Sequence, residues 1–99
     1  MKDQTLAIHA GFKSDPTTKA AAVPVYQTVA YEFDNAQHGA DLFNLAVPGN
    51  IYTRIMNPTT DVLEQRCAEL EGGIGALCVS AGSAAIHYAV INIAEQGNN

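Results

Sequence analysis

One uninterrupted apolar run, Ile74-Gly-Ala-Leu-Cys-Val79, constrains this chain more than any other stretch. It shows no polar–apolar alternation, which suits a strand buried on both faces of a parallel sheet. A parallel sheet needs neighbouring strands, and the chain offers only this one good candidate. The flanks fit an α/β pattern. Before the run, Asn57-Pro58 starts a helix, with Asn as the cap and Pro at the first helical position. Leu63, Cys67 and Leu70 follow at i, i+4 and i+7 with Val62 beside them, and Gly72-Gly73 ends the helix, one of the two in the left-handed conformation. After the run, Ser80-Ala81-Gly82 makes a tight turn, and Ser83 to Gln96 reads as a helix apolar nearly all round, hence buried. The expected fold class is therefore α/β, with a helix–strand–helix unit that is incomplete on its own.

Residues 1–56 show little sustained periodicity. Turn signals fall at Ser14-Asp15-Pro16, Pro24, Asp34-Asn35 and Pro48-Gly49-Asn50. Between them Val23 to Phe33 is extended, aromatic and β-branched, although Pro24 argues against a central strand. A short helix is expected from about Asn35 to Leu45, where Ala36, Ala40, Leu42 and Phe43 form an apolar stripe. So much irregular chain cannot satisfy its own backbone as a separate domain. Residues 1–56 therefore read as an arm that packs on something else, and residues 57–99 as the start of an α/β domain.

Composition narrows the function. The chain has 99 residues, 47% hydrophobic and 15% charged, whereas an average soluble domain is about 25% charged. So apolar a chain is not disordered, and its paucity of charge suggests that part of it meets more protein. A net charge of −5 with no basic cluster disfavours nucleic acid as a partner. The start of the chain has no basic-then-apolar leader, and Ala84 to Ala94 is too short to span a bilayer. The expected setting is cytoplasmic, with no membrane partner. Cys67 and Cys78 form no metal-ligand spacing and read as reduced core thiols. His9, His38 and His87 are scattered, so no metal site is expected, and His87 reads as a satisfied core histidine. Ser80 and Ser83 lack the G-x-S-x-G elbow of a hydrolase nucleophile.

Two features carry chemistry. At the turn before the last helix, Gly82 lets backbone approach a ligand, while unpaired helix-end amides and the hydroxyls of Ser80 and Ser83 suit an anion, above all a phosphate. The plainer alternative is an ordinary βα turn with a serine N-cap. The second feature is Tyr52-Thr53-Arg54. Residues two apart on extended chain project to one side, and a phenol beside a guanidinium fork binds phosphate well. Its alternative is a surface arginine beside a packed tyrosine.

The string Ile51-Tyr-Thr-Arg-Ile-Met-Asn-Pro-Thr59 resembles the Cys/Met-metabolism family of pyridoxal-phosphate (PLP) enzymes, whose Y-x-R-x-x-N-P-T motif it matches. The order of Thr5 to Gly11, Pro24 to Thr28, Leu70-Glu-Gly-Gly73 and the turn at Ser80 to Ile86 extends the resemblance over almost the whole chain. Within the family, Phe43 to Tyr52 looks most like the O-acetylhomoserine sulfhydrylases, which replace an acetoxy group with sulfide to give homocysteine and acetate in methionine biosynthesis. Cystathionine γ-synthase and methionine γ-lyase are the alternatives within the family, and a non-catalytic phosphate-binding fragment is the alternative outside it.

The resemblance implies a PLP-dependent transferase of the aspartate aminotransferase-like fold type I, of which this chain supplies the N-terminal arm and the first helix–strand–helix of the large domain. It implies PLP-phosphate contacts at Ala81, Gly82 and Ser83, completed by Tyr52 and Arg54 donated to the neighbouring identical subunit. It also suggests Tyr52 as a proton relay for the amine of an amino-acid substrate. The family's serine before the glycine is replaced by Ala81, with Ser80 one residue earlier, so one hydroxyl contact is expected to be lost or moved. The Schiff-base lysine is expected beyond residue 99, which leaves no catalytic residue of that kind here and makes this chain alone inactive. Its expected partners are the rest of its own subunit and a neighbouring copy, in a dimer or homotetramer.

Overall fold

The computed structural model describes residues 2–98. Four helices follow one another: α1 (Asp3–His9), α2 (Ala36–Phe43), α3 (Pro58–Glu71) and α4 (Gly82–Ile93). The radius of gyration is 16.5 Å and the extents are 51 × 43 × 23 Å. A compact domain of this length has a radius near 13 Å, so the chain is spread out. Leu42 and Val62 are the only buried hydrophobic side chains among the described residues.

Helix signals in the sequence act as read. The Asn57 side chain accepts from the Thr59 amide at 2.9 Å, Pro58 takes the first position, and Gly72 closes α3 with φ 66°. Asn35 caps α2 through the His38 amide at 2.8 Å. Leu42 on α2 is buried, and Phe33 meets Phe43 edge-on with ring centroids 6.1 Å apart. The expected helix over Asn35–Leu45 thus forms slightly shorter. Helix α1 was not expected: it is short and lacks a side-chain cap. It is held from outside, where Arg66 Nε donates to the Ala10 carbonyl at 2.8 Å. Gly11, at φ +76°, follows so closely that a Cβ there would lie 2.8 Å from the Val62 carbonyl oxygen.

The apolar half departs from expectation. Residues 74–79 are extended but pair with no strand, and Leu77 is 72% exposed. A strand exists only as part of a ladder, and among the described residues the one β-bridge joins Ala30 to Tyr52, antiparallel. Among the described residues the expected strand therefore has no partner to pair with. Helix α4 likewise has no buried residue, and it stops at Ile93 rather than Gln96 because helix ends without packing fray. His87 is exposed, 6.0 Å from the Tyr88 ring, and is not a core histidine. On α3, Val62 is buried while Leu63 and Leu70 face outward with no described element covering them. Cys67 and Cys78 are free thiols, half-buried rather than in a core.

Candidate functional site

Tyr52 and Arg54 sit on a tight turn, not on the extended chain that their spacing suggested. The Ile55 and Met56 amides both return to the Tyr52 carbonyl, at 2.9 and 3.0 Å. The turn still brings the two side chains together: Arg54 Cζ lies 5.1 Å from the centroid of the Tyr52 ring. Stacking of this kind orders a guanidinium without consuming its N–H donors. Arg54 is exposed and has no ion-pair partner among the described residues.

Hydrogen bonds from distant sequence hold this turn. The Tyr31 amide donates to the Ile51 carbonyl at 3.3 Å, and the Thr53 amide to the Val29 carbonyl at 2.8 Å. The Thr53 hydroxyl donates to the Thr28 carbonyl. Asn57, 5% exposed, uses its amide fully: Oδ1 caps α3, while Nδ2 donates to the Tyr26 carbonyl at 2.9 Å and to Thr53 Oγ1 at 3.2 Å. Thr59 Oγ1 accepts from the Tyr26 amide at 2.9 Å and donates to the Pro24 carbonyl at 2.8 Å. The sequence reading assigned Asn57 to capping alone and gave Thr59 no role. The signal available was chemical: a capping asparagine spends its oxygen and leaves an NH2 for a second strand.

Two cavities flank Arg54. One, of 530 Å³, is lined by Thr53, Arg54, Asn57, Asp61, Glu64 and Cys78 among others. In its wall the Cys78 amide donates to Glu64 Oε1 at 2.9 Å, and desolvation, reinforced by Glu64 and Cys67, pushes the Cys78 thiol pKa up. The other, of 420 Å³, is apolar and bounded by Tyr31, Phe33, Phe43, Tyr52 and Ile55 with Arg54 at its edge. Tyr31 Oη is buried and has no hydrogen-bond partner among the described residues.

The other predicted group forms the start of α4. Its N-cap is Ala81, extended at φ −148° and ψ 144°, and no side chain caps the helix. No serine caps the helix, so no side chain takes up the first-turn amides. A Cβ built on Gly82 would meet nothing within 4 Å, so the backbone there is open to approach. Gly82 and Ser83 thus offer amides and a hydroxyl where the helix dipole favours an anion. Neither cavity lined by Arg54 includes Ala81, Gly82 or Ser83.

Comparison with known proteins shows the family. A family model described as Cys/Met metabolism PLP-dependent enzyme matches residues 4–99. The O-acetyl-L-homoserine sulfhydrylase of Leptospira meyeri is 54% identical over 96 residues, covering 97% of this chain and 22% of that protein. A solved O-acetylhomoserine (thiol)-lyase from Campylobacter jejuni, which contains pyridoxyl-lysine-5'-monophosphate, superposes with TM-score 0.91 at 45% identity, over 99% of this chain and 24% of its own. The cystathionine γ-synthase of Xanthomonas oryzae gives TM-score 0.75 at 31% identity, over 90% of this chain and 21% of its own. The chain thus spans under a quarter of the proteins it matches.

Proposed function

The chain belongs to the Cys/Met-metabolism PLP-dependent enzymes, and on that footing we propose that it is the N-terminal segment of an O-acetylhomoserine sulfhydrylase, forming homocysteine and acetate from O-acetylhomoserine and sulfide. The observation that carries this reading is the 54% identity to a sulfhydrylase along nearly the whole chain. Residues 57–99 open the PLP-binding α/β domain of a fold type I subunit, and residues 1–56 are an arm toward a neighbouring identical subunit. The setting is cytoplasmic, and the remaining partner is the rest of the same subunit.

The residues present fit the cofactor. A phosphate monoester needs dense donors and positive charge, and Arg54, Tyr52, the Gly82 and Ser83 amides and the Ser83 hydroxyl supply both. Ala81 contributes backbone only. When bound, PLP supplies the electron sink for replacement at the γ-carbon. This chain's part is to hold the phosphate in one orientation, which fixes where the reacting carbon stands. Tyr52, whose ring lies 5.1 Å from Arg54 Cζ, would act as a proton relay for the substrate amine, its hydroxyl accepting one proton as it passes its own on. On this reading Tyr52 and Arg54 are donated to the neighbouring subunit.

In the full-length subunit, Arg54→Ala weakens PLP binding about 10- to 100-fold, the worth of a charge-assisted hydrogen-bond partner. Titration of the apoprotein with PLP measures it, and an unchanged dissociation constant refutes the assignment. Mixed oligomers of Arg54→Ala subunits with subunits lacking the Schiff-base lysine recover homocysteine formation from O-acetylhomoserine and sulfide if Arg54 acts across the interface. Product made instead only with cysteine as the sulfur donor assigns the subunit to cystathionine γ-synthase.

A further inference from the structure

We propose that Asn57 and Thr59 are positioning residues, whose side chains clamp residues 24–31 against the 52–56 turn and thereby fix Tyr52 and Arg54 for phosphate. The inference rests on the phosphate role proposed for Arg54 and adds residues that touch no ligand themselves.

The argument is geometric. The turn carrying Arg54 is exposed, and its own hydrogen bonds run from Ile55 and Met56 back to Tyr52 and from the Ile51 amide to Met56 Sδ. Those close the turn without aiming it. Its direction is set where it meets the 24–31 segment, whose ladder there is a single bridge, Ala30 to Tyr52. One bridge is a hinge rather than a sheet. The second line of attachment is made by side chains. Thr59 Oγ1 holds the Pro24 carbonyl and the Tyr26 amide, and Asn57 Nδ2 holds the Tyr26 carbonyl. Thr53, the residue between Tyr52 and Arg54, is gripped from both directions: Asn57 Nδ2 donates to its hydroxyl, which in turn donates to Thr28. Because Asn57 and Thr59 stand at the start of α3, the clamp refers the turn to a rigid helix. Asn57 is buried with both side-chain polar atoms engaged, which locks its orientation.

Thr59→Val keeps the shape of the side chain and removes both hydrogen bonds. In full-length protein it weakens PLP binding about tenfold, while Thr59→Ser restores binding to within about twofold of the parent. In an Arg54→Ala background Thr59→Val costs clearly less than the tenfold it costs in the parent, because only Tyr52 is left for it to position. Amide hydrogen exchange over residues 24–31 and 51–56 accelerates in Thr59→Val whether or not cofactor is present. The inference is overturned if Thr59→Val leaves PLP affinity or that exchange unchanged, or if it costs the same with and without Arg54. Failure of the phosphate reading looks different: Arg54→Ala alone then leaves PLP affinity unchanged, which removes the inference together with its premise.

Discussion

Residues 24–59 and residues 74–98 invert the usual relation between regularity and support. The first stretch contains one eight-residue helix and a single β-bridge before α3 begins, yet polar side chains tie it across 25 to 35 positions of sequence. The second holds a twelve-residue helix and an extended apolar run, and none of its hydrophobic side chains is buried. The difference lies in what each kind of closure requires. A threonine hydroxyl or an asparagine amide completes a hydrogen bond as soon as one partner is within reach. Apolar area and ladder groups are satisfied only by a whole facing surface. Much polar closure between residues 24 and 59 is therefore made within this chain, Tyr31 Oη excepted, whereas apolar closure waits for neighbours.

The comparison breaks most readily at Leu77. On the proposed reading this side chain is buried by the rest of the subunit, so Leu77→Asp in the full-length protein costs about 4 kcal/mol or more, as an unpaired buried carboxylate does. Urea unfolding measures it. A loss within about 0.5 kcal/mol, typical of surface positions, means that the run faces water and that the contrast is false. A smaller effect is expected at Gly11, where the chain turns with positive φ against Val62. Gly11→Ala costs about 1–3 kcal/mol from backbone strain and the close approach to the carbonyl. Wild-type stability there would show that α1 does not dock on α3 in the assembled protein.

The smallest effect sharpens the polar side. The Asp15 carboxylate accepts from the Thr18 amide, the Thr18 hydroxyl and the Thr17 amide, and the Thr18 amide foremost holds its pKa below the ordinary aspartate value. A depressed folded pKa means that the turn's stabilisation is complete above the ordinary value and is lost as pH falls through the folded one. A carboxyl-carbon NMR titration is expected to give an Asp15 midpoint under that of an unstructured aspartate. An ordinary midpoint would mean that the turn is open in solution.

What the sequence made legible follows the same division. Asn35, Asn57-Pro58 and Gly72 act on their own helix within a few residues, so their meaning could be read locally. The family resemblance was legible for a related reason: its motif is compact, from Tyr52 to Thr59. The grip of Thr59 on Pro24 spans 35 positions and has no periodic trace, so no local pattern announced it. The strand expected at 74–79 stands differently. Its apolar pattern describes an environment, and that environment is not contained in the chain. Tyr52 and Arg54 were paired correctly, but by the wrong geometry, since a turn and ring stacking bring them together.

The hydroxyl of Thr59 also restricts what evolution can write at that position. Here the Pro24 carbonyl takes a donor, while the Tyr26 amide takes an acceptor. Both demands converge on one atom at hydrogen-bonding distance from each. Among side chains short enough to fit, only serine and threonine put a donor and an acceptor on a single oxygen. Cysteine is too weak in both senses, valine is mute, and asparagine divides the two functions between different atoms. The position therefore admits a two-letter alphabet for reasons of proton traffic alone, without any contact to substrate.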